Sequence, residues 1–249
     1  MDQNLNQSKI KAIITATDGT NALAAKMLNY TLQYNLKQID DILIVTDSKS
    51  PIVEFVCKKY NIQYIKTDRF YENNASYDRG KVLSDILKEE KDGWILHLDS
   101  DILLPKNFKE KINEINLDKN ILYGSRRIMF ETLKNAEEWF LNNGNPEELS
   151  NHIPYGYCWG YFQLFNMKSI VIERSNKDAI YPASGHIGDH DEWFKNKWGV
   201  MIEHPYVKGR FLAGENDLKV IGNICELPFL VGHLGVPSVN NKLNDTFFD

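Results

Sequence analysis

The stretch Trp94-Ile95-Leu96-His97-Leu98-Asp99-Ser100-Asp101-Ile102-Leu103-Leu104-Pro105 carries an apolar run straight into two carboxylates one residue apart, then back into apolar sequence. Its first five residues predict a buried strand. In extended geometry positions 99 and 101 project to the same side. They lie at the carboxyl end of that strand, where open α/β sheets bind ligands. Two acids this close repel unless a cation lies between or beside them, and hard oxygen ligands of this kind suit Mg2+ or Mn2+ carrying substrate phosphates. The structural alternative is a solvated turn with Ser100 or Asp101 as a helix N-cap ahead of Pro105.

Outward from this point, short apolar runs alternate with amphipathic stretches over the first 130 residues. Lys9–Thr17, Ile42–Val45, Ile62–Ile65 and Ile121–Tyr123 predict strands. Thr20–Asn35, with Leu23, Met27, Tyr30 and Tyr34 at helical spacing, predicts a helix, as do Ala75–Lys91 and Pro105–Ile115. Ser50-Pro51 supplies an N-cap and an N1 proline for another, ending near Tyr60. This β-α-β-α order implies a mostly parallel sheet with helices on both faces. The rhythm then changes: a helix over Thr132–Asn142, a break at Asn143–Pro146, a glycine- and aromatic-rich segment Pro154–Asn166, a short helix His190–Trp198 stopped by Gly199, and strands at Val200–Glu203 and Phe229–Leu234. The expected organisation is one domain over 1–249, with an elaborated second half beyond about residue 130 on the same sheet.

Composition narrows the class. Of 249 residues, 43% are hydrophobic and 25% charged, as in an ordinary globular domain. The net charge of -5 argues against a protein that grips phosphate backbone over a whole face. Cys57, Cys158 and Cys225 are isolated, which predicts reduced thiols instead of a disulfide framework or zinc knuckle. The polar start, Met1–Lys9, carries no apolar core of a secretory signal, and no apolar run approaches the ~20 residues of a membrane span, so a cytoplasmic location is expected.

The strand-borne Asp99-Ser100-Asp101 resembles the Asp-x-Asp hallmark of the GT-A glycosyltransferases, and an ordered series of short motifs extends the resemblance over most of the chain. It implies a GT-A-like α/β fold, with a nucleotide-sugar-binding half to about residue 130 and an acceptor-side half beyond it. It places Thr15 and Thr17 beside the nucleotide, Asp47 on its base or ribose, and Arg79 and Lys81, from Tyr77-Asp78-Arg79-Gly80-Lys81, near the diphosphate. Asp99 takes a ribose or outer-sphere metal role with Ser100 next to it, Asp101 a direct bond to Mn2+ or Mg2+, and His233, within Phe229–Gly235, completes the metal site. Each position has a plainer reading: an Asx turn at Asp47, solvated helix charge at Arg79 and Lys81, strand residues at Thr15 and Thr17, a satisfied core histidine at His233.

A second acidic cluster, Asp189-His190-Asp191-Glu192, opens the short helix before Gly199. Its members are competent metal ligands, and acids in a first helical turn are also favoured by the macrodipole. The resemblance adds a third reading. Inverting members carry Glu-Asp, then an apolar residue, a basic residue and a glycine at the spacing of Asp191, Phe194, Lys197 and Gly199, although His190 stands where glutamate is usual. The general base is then Asp191 or Asp189. The same triplet also resembles the Asp-Gln-Asp of retaining family-eight enzymes, which need no dedicated base. Trp159, Tyr161 and Phe162 read equally as a platform for a sugar ring or as a core seam.

The expectation is a metal-dependent transferase that moves a sugar from a nucleotide-sugar, with UDP favoured by family frequency, to an acceptor hydroxyl with inversion. The acceptor is open among glycan, lipid, protein, small molecule and, less favoured by the net acidity, a nucleic-acid base. A sugar-1-phosphate nucleotidyltransferase and a non-catalytic nucleotide-sugar-binding module are the alternatives, although Thr17–Asn21 lacks the glycine-rich basic loop of the former.

Overall fold

The computed structural model describes residues 9–19, 22–75, 77–130, 132–142, 160–181, 189–199 and 223–234. Eight strands form one sheet: β1 (Ile10–Thr15), β2 (Asp41–Thr46), β3 (Gln63–Lys66), β4 (Trp94–Asp99), β5 (Ile102–Leu103), β6 (Ile121–Phe130), β7 (Phe162–Asn166) and β8 (Asn223–Leu234). Their spatial order is β3-β2-β1-β4-β7-β6-β8-β5. The helices are α1 (Leu23–Asn35), α2 (Pro51–Tyr60), α3 (Arg79–Glu89), α4 (Phe108–Asn113), α5 (Leu133–Leu141), α6 (Ile170–Arg174) and α7 (Asp189–Asn196). β3, β2, β1 and β4 pair in parallel, as their helical crossovers require. β7 then runs antiparallel to both β4 and β6, and β8 is parallel to β6. The α/β class therefore holds, with the parallel character concentrated in the first half.

Both faces are covered. Ala12, Ile14, Leu96 and Leu98 pack under α1, α2 and α4, whereas Ile13, Ile95 and Phe165 pack under α3, α6 and α7. Alternation along β4 therefore sends Ile95, His97 and Asp99 toward α3 and α7. Cys57 is a free, buried thiol, and no helix among the described residues is long and apolar enough to cross a membrane.

Three boundaries differ from the sequence expectation. Residues 69–74 form a 3-10 turn, anchored by fully buried Phe70, whose ring stacks on Tyr77 at 4.9 Å, so the helix expected from Ala75 begins only at Arg79. The helix expected from Pro105 begins at Phe108. β6 continues to Phe130 through polar Ser125-Arg126-Arg127, because a register shift after Gly124 lets buried Ser125 donate to the Phe229 carbonyl at 2.7 Å. The Val200–Glu203 strand lies outside the described residues.

The turn after β4 is held from below by one helix. On α1, Thr31 and Asn35 lie four residues apart and share a face. The Thr31 hydroxyl donates to the Ser100 carbonyl at 2.9 Å. The Asn35 amide donates to the Ile102 carbonyl at 2.8 Å and accepts from the Leu104 N–H at 2.9 Å. Asn35 is fully buried, so its two partners have no water to fall back on. Asn35→Ala strands one donor and one acceptor, and is expected to lower stability by about 2–4 kcal/mol at 1–3 kcal/mol for each unsatisfied group. Urea unfolding followed by circular dichroism measures it.

Candidate active site

The site grows from three segments that meet beyond the carboxyl end of β4. Asp99 closes that strand. Arg79 opens α3, where the Asp78 side chain caps the helix by accepting from the Lys81 N–H at 3.0 Å. Asp191 sits in the first turn of α7. The Arg79 guanidinium donates through one nitrogen to Asp99 and through the other to Asp191. One planar guanidinium thus bridges two carboxylates, which suits arginine, whose several N–H donors point in fixed and different directions.

Two carboxylates share one buried cation, and the electrostatics follow. Burial works against the Arg79 charge, and Asp99 and Asp191 together overcome it. Burial likewise pushes the Asp191 carboxyl up to about 7, against the pull of Arg79 and with the Asp99 charge adding to the rise. Asp99 is raised by burial as well, opposed by Arg79 and reinforced by Asp101. A carboxyl near 7 suits a general base at neutral pH.

A buried layer fixes α7 behind Asp191. Phe194 stacks on Tyr181 with ring centroids 3.9 Å apart, and Lys197 donates to the carbonyls of Ala179 and Ile180, each at 2.7 Å. The Tyr181 hydroxyl donates to Gln163 at 2.6 Å, and the Gln163 amide donates to the Asp191 carbonyl at 3.3 Å. Gly199 has φ +91°, a left-handed conformation that glycine adopts freely and that stops the chain just past the helix. The apolar, basic and glycine positions after Asp191 thus each have a structural task. Asp189 is the first residue of α7.

Asp101 follows in the turn, with one carboxylate oxygen 3.4 Å from the Nε2 of His233 on β8. Ile102 pairs with His233 in the sheet, which is why a residue more than 130 positions away arrives here. The other oxygen of Asp101 and the Nδ1 of His233 are buried without a hydrogen-bond partner among the described residues. An orphaned buried carboxylate oxygen beside an imidazole fits a hard divalent cation, with Asp101 and His233 holding it. Among the described residues no three His, Cys, Asp or Glu side chains make a metal site on their own.

The remaining sequence-derived residues divide. Thr15, at the end of β1, is paired in register with Asp99. Thr17 lies near Tyr71. Asp47 is buried after β2 with both oxygens engaged: Oδ1 accepts from the Lys49 N–H and the Ser50 hydroxyl, and Oδ2 from Tyr71 at 2.8 Å. This is the Asx-turn arrangement. Ser50 points to Asp47 instead of capping α2, and Asp18 caps that helix, accepting from the Ile52 and Val53 N–H groups at 2.9 Å. Lys81 pairs with Glu72, away from the carboxylates. Ser100 contributes its backbone carbonyl to Thr31. Tyr161 and Phe162 are buried core residues, the former donating to the Ser125 carbonyl at 2.7 Å, so the sugar-platform reading fails for both; Trp159 lies outside the described residues. Sequence reasoning missed Gln163 and Tyr181; for Gln163 a polar residue inside an apolar strand was the available signal, and Tyr181, after a short turn, carried none.

No protein-family model and no curated protein sequence matches the chain. Solved structures do match its fold. Residues 1–349 of TarS from S. aureus, in complex with UDP-GlcNAc, superpose with TM-score 0.55 at 12% identity, covering 92% of this chain and 59% of that one. The mannosyltransferase PcManGT from Pyrobaculum calidifontis, in complex with GDP-Man and Mn2+, superposes with TM-score 0.53 at 11% identity, covering 94% and 59% respectively. The chain has the GT-A glycosyltransferase fold. It spans about three fifths of each of those two chains.

The Arg79 bridge makes a stability prediction with a defined sign. Asp191 binds its proton more tightly folded than unfolded, so its contribution is full below its ordinary value of 3.8 and is lost as pH rises through about 7. Arg79→Met removes the shared cation. It is expected to cost about 3 kcal/mol at pH 8.5, the lower end for a broken buried pair because Asp99 keeps some contact with water. At pH 5.5, where the carboxyls take up protons, the cost should be much smaller. Urea midpoints of both proteins at the two pH values check it.

Proposed function

We propose that this chain is a divalent-metal-dependent glycosyltransferase that moves a sugar from a nucleotide-sugar, a UDP-sugar, to an acceptor hydroxyl with inversion at the anomeric carbon. The observation that carries the proposal is the meeting of Arg79, Asp99 and Asp191 beside Asp101 and His233 at the carboxyl end of β4. A fold shared with structures holding UDP-GlcNAc and GDP-Man with Mn2+ supports it. The UDP-GlcNAc complex favours uridine, and GDP-Man makes guanosine the competing outcome of a donor screen.

In this reading Asp101 and His233 hold Mn2+ or Mg2+, which when bound acts as a Lewis acid on the diphosphate leaving group. Asp99 orients Arg79, whose charge lies beside the departing diphosphate. Thr15, Thr17 and Asp47 line the nucleoside end, and Tyr71 yields its bond to Asp47 when the base or ribose enters. Asp191 takes the acceptor proton from the face opposite the leaving group, and a proton affinity near neutrality equips it for that transfer. Its bond to Arg79 at the tip of β4 is the ground for taking Asp191 as the base, and a dedicated base goes with inversion.

Turnover should release UDP from a UDP-sugar and no pyrophosphate from UTP with a sugar-1-phosphate. The second outcome would instead identify a nucleotidyltransferase, and tight UDP binding without turnover a binding module. Asp101→Ala should abolish turnover and leave the unfolding transition in place, and EDTA should weaken UDP binding measured by calorimetry. Undiminished activity in a verified metal-free preparation would refute the metal dependence.

Asp191→Asn should retain donor affinity and lose roughly 10²–10⁴-fold in kcat, the weight of a general base. The wild-type kcat/KM should climb with pH through about 7, as the Asp191 carboxyl loses its proton, and the variant should lack that limb. Proton NMR of fresh product from an α-linked donor should show a β linkage.

A further inference from the structure

The carboxylate of Asp191 lies against a residue that has no side chain. A Cβ built on Gly160 would stand 1.9 Å from the Asp191 Cγ, 1.9 Å from Oδ2 and 2.4 Å from Oδ1. Contacts that short do not occur, so any side chain at 160 and the present position of that carboxylate exclude each other. We infer that Gly160 is the positioning residue for the Asp191 carboxylate, its bare Cα forming the wall that sets where the base stands. The inference rests on the reading of Asp191 as the base.

Neither partner can step aside. Gly160 immediately precedes Tyr161, whose carbonyl accepts from the Asp99 N–H at 3.0 Å, whose hydroxyl donates to the Ser125 carbonyl, and whose ring carries the Arg127 guanidinium 4.6 Å above it. The 160–161 main chain is thus fixed to β4 on one side and β6 on the other. Asp191 is fixed by Arg79, by the Gln163 amide on its carbonyl, and by the Phe194–Tyr181 stack one turn along α7. The constraint is steric. A substitution at 160 acts through the atom it adds.

The wall also sets what surrounds the base. A carboxylate pressed on a peptide is held in place on that side, and a displacement of about 1 Å at such a point costs on the order of 10²-fold in rate.

The test is a double-mutant cycle on the full chain, with Gly160→Ala made in wild type and in Asp191→Ala. In wild type it should lower kcat by about 100-fold, with donor KM within about twofold, because donor contacts are untouched. In Asp191→Ala, where the carboxylate is gone and the added methyl has room, it should lower neither kcat nor the urea midpoint further. A Gly160→Ala enzyme with near-wild-type kcat, or equal losses of midpoint in both backgrounds, overturns the inference. Wild-type protein that turns over no nucleotide-sugar overturns the transferase reading and the catalytic part of this one. Coupled urea midpoints would still establish the Gly160–Asp191 contact, which separates the two failures.

Discussion

One arginine among three carboxylates organises the centre of this protein. Arg79 is nearly buried and bridges Asp99 and Asp191, residues 20 and 112 positions away in the chain. Burying a charge is tolerated only with a partner. Burial raises both carboxyls against the pull of Arg79, with the Asp99 charge adding to the rise at Asp191 and the Asp101 charge to that at Asp99. A pocket in this condition attracts protons and cations. The same constraint dictates the supporting structure, because α3 and α7 must both begin at the tip of β4 for the bridge to form.

The supporting layer is apolar where it sets distance and polar where it sets direction. Phe194, Phe165, Trp198 and Tyr181 form an aromatic cluster beneath α7. Within it, Tyr181 and Gln163 hydrogen-bond toward the Asp191 main chain, and the Tyr181 hydroxyl lies 3.4 Å from the Nδ1 of His97, two residues before Asp99. Side chains of this kind are locked by both packing and hydrogen bonding, which is what a site of fixed geometry requires.

The strands of the first half were legible in the sequence because each is a short apolar run ended by turn residues, and Ser50-Pro51 marked α2 to the residue. Less legible was whatever depended on distant partners. β6 hides its second half because Ser125 is satisfied by Phe229, which is 104 positions away. α3 starts late because Phe70 and Tyr77 stack ahead of it, a contact with no periodic signature. At the site, Asp99, Asp101 and Asp191 stood out as acids at element ends, whereas the pairing that gives Arg79 its meaning spans segments that only the fold brings together. Asp47 shows the opposite case: its local Asx turn was readable from Asp47-Ser48, but its bond to Tyr71 was not.

The grip of α1 on the turn after β4 has a consequence for how this scaffold can change. Thr31 and Asn35 reach only main-chain atoms of residues 100, 102 and 104, never the side chains that carry charge. Shape and chemistry in this turn are therefore encoded by different residues, one set on a helix and one on the loop. Mutations can sample new side chains at 99–101 while the loop keeps its course, so the chemistry this turn presents can drift over generations without the architecture being rebuilt. The turn behaves as an exchangeable reading head on an inherited frame.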